Sequence, residues 1–290
     1  MVVVGGGPAG LEAARVTAER GHDVVLFEAS DRLGGQLKLA CKGKTRKQIW
    51  GVADWLIEEV GRLGVDLRLN TYVEAAEIRN EAPNTIIIAT GGWPQPSDIP
   101  GREQLISSWD VLGGEMRLSG DVLLFDELGD QAAGVCADYL ANSGCAVKMV
   151  TPDRAIAQNL GPTNSSVVLR GLASQGVKFD CFQDLVEVRR DGNRNIITLR
   201  HVLTEQQSEV IVDHVVIENG TIALDEIYWD LKQHSRNLGQ LDHQYLIAGR
   251  DPFVEINPDG DFNLARIGDA VASRNIHAAI YDALRVCKNI

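Results

Sequence analysis

The stretch from Val2 to Glu28, VVVGGGPAGLEAARVTAERGHDVVLFE, predicts a buried strand, a glycine turn, a helix and a second strand. Its glycines at positions 5, 7 and 10 fit the spacing G-x-G-x-x-G. The first allows the turn, the second lets the backbone approach a pyrophosphate, and the third lets the helix pack on the strand. Glu28 ends the second strand, where an acid accepts hydrogen bonds from ribose hydroxyls and disfavours a 2′-phosphate. The stretch therefore predicts a dinucleotide site, and NADP is not expected in it.

The totals exclude several classes of protein. The chain has 290 residues, a net charge of −12, 44% hydrophobic and 23% charged residues, which is typical of a globular protein of about two domains. The negative charge argues against nucleic acid or an anionic membrane as a partner, and no apolar run has the length of a membrane span. The first strand begins at residue 2, so no signal peptide is expected. None of the five cysteines forms C-x-x-C, which predicts reduced thiols in a cytoplasmic protein and no metal site.

Two more glycine motifs follow in the first half. LGGQ at 33–36 allows a loop to lie close to a bulky group, and the buried strand at 85–90 runs into Gly91 and Gly92. Between them, a strongly amphipathic pattern predicts a helix over residues 49–63. Residues 40–48 form a small basic island, most simply a solvated loop, with a phosphate or partner contact as the alternative. Residues 93–100 are rich in proline and are interpreted as a crossover linker.

A second unit repeats this order of elements. A strand at 122–125, a helix at 132–141 and a strand at 146–150 precede another helix and strand at 167–182. Three further strands are predicted from LVEVRR, NIITLRHV and EVIVDHVVI within residues 185–217. Because VVIENGT at 215–221 matches IIIATGG at 86–92, the sequence predicts two dinucleotide folds in series by duplication. The tail adds a strand reaching Gly268-Asp269 and a helix that begins near Ile276.

These motifs occur in the order found in flavoproteins with two dinucleotide folds. The chain resembles the C-terminal FAD/NAD(P)-type half of the trimethylamine dehydrogenase and 2,4-dienoyl-CoA reductase (NADH:flavin oxidoreductase) family. It is most similar to the branch of dimethylglycine and N-methylproline demethylases. SSWDVL at 107–112, SRNLG at 235–239 and RIGDAVASRNIHAAIYDALR at 266–285 carry this resemblance, which covers essentially the whole chain.

The resemblance implies an α/β protein of two Rossmann-like folds, the second inserted in the first. Residues 1–113 and 225–290 would bind FAD or ADP, and residues 114–224 would form an inserted NAD(P)-like domain. The implied cofactor contacts are Gly5, Gly7, Pro8, Ala9, Gly10, Glu28, Ala29, Arg32, Gly34, Gly35, Gln36, Ala89, Thr90, Gly91, Gly268, Asp269 and Ile276. No residue is assigned a catalytic role.

Two departures from the family pattern shape the expected function. Family members also carry a barrel with FMN and a 4Fe–4S cluster, and we expect a barrel domain or partner subunit to supply both. The inserted unit has Asp126-Glu127-Leu128-Gly129-Asp130 where a glycine loop is expected. Two charged carboxylates repel a pyrophosphate and Leu128 blocks its approach, so nicotinamide binding is expected to be lost. Electrons are then expected to leave for another acceptor.

Three functions remain open from the sequence. The chain is expected to be an FAD-holding module of a multi-cofactor oxidoreductase, most simply an amine dehydrogenase or N-demethylase. The alternatives are an ADP-binding module for structure and docking, or an autonomous NAD(P)H-dependent flavin reductase. The missing C-x-x-C argues against a disulfide reductase.

Overall fold

The computed structural model describes residues 1–290, and the chain divides into two compact units. Unit 1 contains residues 1–37, 49–93 and 221–290, and unit 2 contains residues 38–48 and 94–220. Both units are α/β, and each contains a five-stranded parallel sheet.

The strands are β1 (Val2–Val4), β2 (Val25–Phe27), β3 (Asp66–Arg68), β4 (Thr85–Ile88), β5 (Gly92–Pro94), β6 (Leu105–Ser107), β7 (Asp121–Asp126), β8 (Ala146–Val150), β9 (Lys178–Asp180), β10 (Gln183–Asp191), β11 (Arg194–His201), β12 (Gln207–Val212), β13 (His214–Glu218), β14 (Thr221–Ala223) and β15 (Asn263–Arg266). The α-helices are α1 (Pro8–Glu19), α2 (Leu37–Ala40), α3 (Trp50–Arg62), α4 (Ala75–Asn80), α5 (Ser108–Gly113), α6 (Gln131–Asn142), α7 (Gly161–Ser174), α8 (Glu226–Lys232), α9 (His243–Ala248) and α10 (Ile276–Cys287).

The sheet of unit 1 has the strand order β15-β4-β1-β2-β3. Its central strands are uninterrupted apolar runs because helices cover both faces. Val3 and Ile87 pack with residues of α1, α3 and α10 on one face, and Val2 and Ile86 pack with residues of α4 and α8 on the other. The carboxyl ends of β1, β4 and β15 therefore meet at one edge, where ligands bind in open parallel sheets.

Unit 2 contains two sheets. The parallel sheet has the order β6-β13-β7-β8-β9, and the antiparallel sheet has the order β10-β11-β12. Leu123 and Val215 of the parallel sheet share a core with Ile197 and Leu199 of the antiparallel sheet. On the other face of the parallel sheet, Val122 and Val216 pack with residues of α5, α6 and α7.

The structure differs from the sequence prediction in two places. The stretch EVIVDHVVI is not one strand: β12 ends at Val212 in the antiparallel sheet, and β13 begins at His214 in the parallel sheet. The predicted division after residue 113 also differs, because β6 pairs in parallel with β13 and so places residues 94–113 in unit 2. Residues 38–48 belong to unit 2 as well.

The helices are short. None is both long and apolar enough to cross a membrane.

Candidate cofactor site

The glycine turn after β1 has the geometry that its sequence predicts. Gly5 has φ of +104°, a conformation that side chains rarely adopt, and its N–H donates to Phe27 O at 2.8 Å. A Cβ on Gly10 would lie only 1.8 Å from Gly5 O, so only glycine allows this contact between α1 and the turn. A Cβ on Gly7 would instead meet nothing closer than Gly35 Cα at 3.9 Å. The protein leaves the approach to Gly7 open, which fits a ligand there.

The start of α1 presents unpaired backbone donors beside that opening. Gly7 is the N-cap, Pro8 is the first helical residue, and no side chain caps the helix. The first backbone bond of the helix runs from Leu11 N to Gly7 O at 2.9 Å. The N–H groups of Ala9 and Gly10 therefore have no backbone acceptor, and the helix dipole adds positive potential. This arrangement binds phosphate.

The Glu28 carboxylate both supports the glycine turn and keeps a free acceptor. Its Oε2 accepts the N–H of Gly6 at 2.7 Å, and its Oε1 accepts the backbone N–H and the hydroxyl of Ser30 at 2.8 and 2.7 Å. Because each carboxylate oxygen has two lone pairs, Oε2 can accept one more hydrogen bond. A ribose hydroxyl fits that remaining place.

Residues distant in sequence converge on the same loop. Gly34 N donates to Gly6 O at 2.8 Å, and a Cβ on Gly35, which has φ of +51°, would lie 2.9 Å from Gly7 Cα. The side chain of Gln36 lies close to the Asp269 carboxyl and opposes the rise in the pKa of that carboxyl. Its Nε2 is also 3.7 Å from where a Cβ on Gly91 would stand. The LGGQ motif thus joins the glycine turn to the ends of β4 and β15.

Asp269 is held at that junction. Burial raises the pKa of its carboxyl above the ordinary value, and the backbone N–H of Arg274, which donates to Oδ1 at 3.1 Å, opposes that rise. Gly268 has φ of +61°, and a Cβ there would lie 2.9 Å from Ala9 Cβ. The Arg274 guanidinium pairs with Asp282 of α10. Asp269 therefore lies beside the start of α1, as its predicted role requires.

Of the remaining predicted residues, some have defined positions at the ends of strands and helices, and others are exposed. Ala89 packs on the turn, since a Cβ on Gly5 would lie 2.4 Å from its carbonyl oxygen, and the Thr90 hydroxyl is bound to Leu224 O. Ile276 is the first residue of α10, behind the N-cap Asn275. Ala29 and Arg32 are exposed, and the Arg32 guanidinium has only Asp31 as an ion-pair partner, at 3.7 Å. The structure does not bring the Arg32 side chain into a contact with the others.

Sequence reasoning missed two residues that support the site. Gly6 donates to Glu28, and Ser30 fixes the other carboxylate oxygen. Ser30 could have been found from the sequence, because a serine two residues after an acid can bond back to its carboxylate. Gly6 carried no such signal, since it occupies a variable position of the glycine motif.

The corresponding loop of unit 2 is closed by its own carboxylates. Asp126 Oδ1 accepts the N–H groups of Leu128 and Gly129 at 3.1 and 2.9 Å. Asp130 is the N-cap of α6, and its carboxylate accepts the N–H of Ala132 at 3.3 Å. Counted from the helix start, Asp130 matches Gly7 and Ala132 matches Ala9. The N–H group that is free in unit 1 therefore has an internal acceptor in unit 2.

The side chain of Leu128 fills part of the same loop. A Cβ on Gly220 would lie 3.1 Å from Leu128 Cδ1. The position after β8 also differs from unit 1, because the buried Thr151 stands where Glu28 stands after β2. Unit 2 therefore lacks the acid that would bind a ribose.

The prediction that the charge of Asp126 repels a pyrophosphate is only partly correct. The side chain is fully buried and lies next to Glu218, its partner in the β7–β13 register. Burial raises the pKa of Asp126 to about 7, against the opposing effect of the two N–H groups, and burial also raises the pKa of Glu218. Asp126 is thus only partly ionised near neutrality. Its carboxyl closes the loop mainly by accepting the N–H groups of Leu128 and Gly129.

This buried acid predicts a pH-dependent stability. The folded state retains the Asp126 proton up to pH about 7, while the unfolded chain releases it near the ordinary value of 3.8. The free energy of unfolding should therefore fall as the pH rises from about 4 to about 7, and level off above that. Between pH ~5 and ~8 the loss is on the order of 3 kcal/mol. Urea unfolding of the wild type across this range should show this slope.

The matched variants are Asp126→Asn and Asp130→Asn. The first removes the titrating group and should flatten the slope, leaving a contribution of the same sign from Glu218. The second removes only the smallest of the effects that raise the pKa of Asp126, so it should change the slope little. Equal slopes in all three proteins would show that Asp126 does not hold the proton.

The five cysteines are free, and no group of three or more His, Cys, Asp or Glu side chains is arranged to hold a metal ion. Burial raises the pKa of the Cys287 thiol to about 12. It also raises the pKa values of Cys136, Cys145 and Cys181. These four thiols are thus poor nucleophiles at neutral pH.

Comparison with known proteins shows which proteins the chain resembles. The family model for pyridine nucleotide-disulphide oxidoreductase matches residues 1–121. Over its whole length the chain is 43% identical to a probable N-methylproline demethylase of Rhizobium meliloti and 42% identical to an N,N-dimethylglycine/sarcosine dehydrogenase of Chromohalobacter salexigens. The chain spans 43% of the length of each of these relatives.

The fold has a close counterpart among solved structures. Thioredoxin reductase of Lactococcus lactis superposes with a TM-score of 0.70 at 19% identity, covering 99% of this chain and 95% of that protein. At this identity the likeness shows the fold alone: an α/β protein similar to FAD- and NAD(P)-binding reductases. Residues 1–121 therefore resemble the pyridine nucleotide-disulphide oxidoreductases, and the chain is similar over its whole length to part of an N-methylproline demethylase and of an N,N-dimethylglycine/sarcosine dehydrogenase.

Proposed function

We propose that unit 1 binds FAD and that the chain is the FAD-holding module of a larger amine dehydrogenase or N-demethylase. The observation that carries this proposal is the open approach to Gly7 between the free N–H groups of Ala9 and Gly10. The free acceptor position on Glu28 supports it. Together these groups suit a pyrophosphate and its adenosine ribose.

The convergence of Gln36, Gly91 and Asp269 favours FAD over ADP. An ADP-only module needs the glycine turn and Glu28, but it makes no use of a half-buried carboxylate close to Gln36. In the proposed complex Gly5, Gly7 and Gly10 shape the pyrophosphate cradle, and Asp269 contacts the part of the cofactor beyond it. Bound FAD supplies the capacity to take up and release electrons.

Unit 2 is proposed to have lost its nucleotide. Because Asp126 and Asp130 accept the N–H groups of its loop, unit 2 is not expected to present a nicotinamide. The electrons are proposed to pass to another acceptor, such as a flavoprotein or a quinone.

The relatives' additional length is the basis for the proposed partner. A barrel domain or subunit with FMN and a 4Fe–4S cluster would carry out the amine chemistry. The 290 residues alone are therefore expected to show no turnover of dimethylglycine or N-methylproline with an artificial acceptor, and the complex with such a barrel is expected to be active. Steady turnover by the 290 residues alone would contradict this division of labour.

The Glu28 carboxylate gives a sharper test of the site. In Glu28→Gln the side chain can no longer offer a charged acceptor to both Gly6 N–H and a ribose hydroxyl. Losing one charge-assisted hydrogen bond costs about 1.5–3 kcal/mol, so FAD should bind roughly 10- to 100-fold more weakly. Titration of the apoprotein with FAD, followed by flavin fluorescence, measures the change.

Glu58→Gln is the matched control, because Glu58 is an exposed acid of unit 1 with no ion-pair partner. It should bind FAD as the wild type does. If Glu28→Gln also binds FAD with wild-type affinity, the carboxylate has no role in the site.

A further inference from the structure

The segment Lys38–Gln48, called here the basic segment, is the most positively charged part of an acidic chain. No acid occurs in the sequence from Arg32 to Ala53, although the chain as a whole has 40 acids and 28 lysines and arginines. Within the segment Lys42, Lys44 and Lys47 are exposed. A cluster of cations in a chain of net charge −12 has to be explained by a structural role or by a ligand.

The basic segment is fixed to unit 2 by contacts that do not involve the lysine ammonium groups. Leu39 is buried in the core of unit 2. Asp138 of α6 accepts the backbone N–H of Lys44 at 2.5 Å. Gly43 is buried, and a Cβ there would lie 3.3 Å from Asp138 Oδ2. The lysines are therefore presented from an anchored backbone.

The lysine ammonium groups have no structural partners. None of Lys42, Lys44 and Lys47 forms an ion pair with a carboxylate within 4.0 Å or donates a side-chain hydrogen bond. They do not cap α6 either, because its last carbonyls accept backbone N–H groups of Ser143, Gly144 and Cys145. The carboxylate of Asp138 is occupied by Lys44 N–H and by the side-chain amides of Asn142 and Gln175.

The three lysines line one side of an open depression of about 280 Å³, whose other side is formed by Tyr139, Asn142 and Ser143. The depression is open and is lined by charged and polar residue types, whereas sites for small molecules bury most of their ligand. Several separate cations on an open surface are typical of contacts that guide the approach of a partner protein of opposite charge. We propose that the basic segment is the docking surface for a small acidic electron-carrier protein.

This inference rests on the proposed redox function for its biological purpose, but its test does not require bound flavin. An acidic flavodoxin serves as the probe and a basic cytochrome c as the probe of opposite charge, with binding to the full chain measured by calorimetry at about 20 mM and about 300 mM salt. The test variant is Lys42→Gln with Lys44→Gln and Lys47→Gln. The matched control removes three other exposed, unpaired cations of unit 2 that lie outside the depression: Arg117→Gln, Arg170→Gln and Lys178→Gln.

Flavodoxin is expected to bind the wild type at low salt and to bind the triple-lysine variant at least ~10-fold more weakly, as expected for about three lost ion pairs. High salt should weaken the binding of flavodoxin to the wild type by a similar factor. The control variant should change the affinity for flavodoxin by less than about twofold. The affinity for cytochrome c should be the same in the wild type and in the triple-lysine variant. Equal losses in both triple variants, or no wild-type binding of flavodoxin, would overturn the inference. Micromolar binding of inorganic pyrophosphate without binding of flavodoxin would also overturn it, in favour of a small anion. Absence of FAD from the purified chain would count against the proposed function only.

Discussion

Replacing Gly7 by valine is expected to remove the bound cofactor while leaving the fold intact. Gly7 has φ of −76° and extended ψ, which valine adopts readily, and a Cβ there meets no protein atom closer than 3.9 Å. The valine methyl groups instead enter the space in which the pyrophosphate approaches the N–H groups of α1. We expect cofactor affinity to fall by more than ~100-fold, equivalent to about 2.7 kcal/mol, with a small change in Tm.

Two matched variants separate this effect from damage to the fold. Gly61→Val makes the same exchange at a helical position of unit 1 where a Cβ meets nothing within 4 Å, so the cofactor should be retained. Gly10→Ala should lower the stability of unit 1, because its Cβ would lie 1.8 Å from Gly5 O. Cofactor content and thermal unfolding are measured for each protein. Wild-type cofactor content in Gly7→Val would contradict the proposed position of the pyrophosphate.

NADH and NADPH are expected to bind unit 2 with Kd values above ~1 mM, and neither should reduce the bound flavin rapidly. A pyrophosphate would have to displace the Asp126 carboxylate from two N–H groups and the Asp130 carboxylate from a third. Each of these bonds contributes about 0.5–1.5 kcal/mol when its carboxyl is neutral and about 1.5–3 kcal/mol when it is charged, so breaking all three offsets much of a typical nucleotide affinity.

Calorimetric titration and stopped-flow spectroscopy measure these two quantities. Micromolar binding of NADH or NADPH, or reduction of the flavin by either at a rate of a few per second, would mean that the loop opens. The chain would then be a nicotinamide-dependent reductase.

The sequence was most informative where a residue type is required by backbone geometry. Gly5 and Gly10 could be assigned because a positive φ and a 1.8 Å approach admit no side chain, and the valine and isoleucine runs predicted a sheet covered on both faces. The split between β12 and β13 was not predictable from the alternation of apolar residues. Apolar residues occur on both sides of Asp213 without a turn signal, but the chain passes there from the antiparallel sheet to the parallel sheet.

The electrostatics of the second loop were also beyond the sequence. Asp126 was expected to be a charged obstacle to phosphate, but its carboxylate turns inward beside Glu218, and burial raises its pKa to about 7. Which way a carboxylate points depends on the packing of β7 against β13, and that packing joins residues 92 positions apart. The proximity of Gln36 to Asp269 likewise depends on tertiary structure, since the two residues come from opposite ends of the chain.

The central claim is that the cradle formed by the glycine turn, Glu28 and Asp269 binds FAD. The most direct measurement is to denature the purified protein, separate the released small molecules by chromatography and identify them by mass. The account predicts about one FAD per chain and a yellow native protein. Release of ADP alone, or of no nucleotide from fully folded protein, would contradict it.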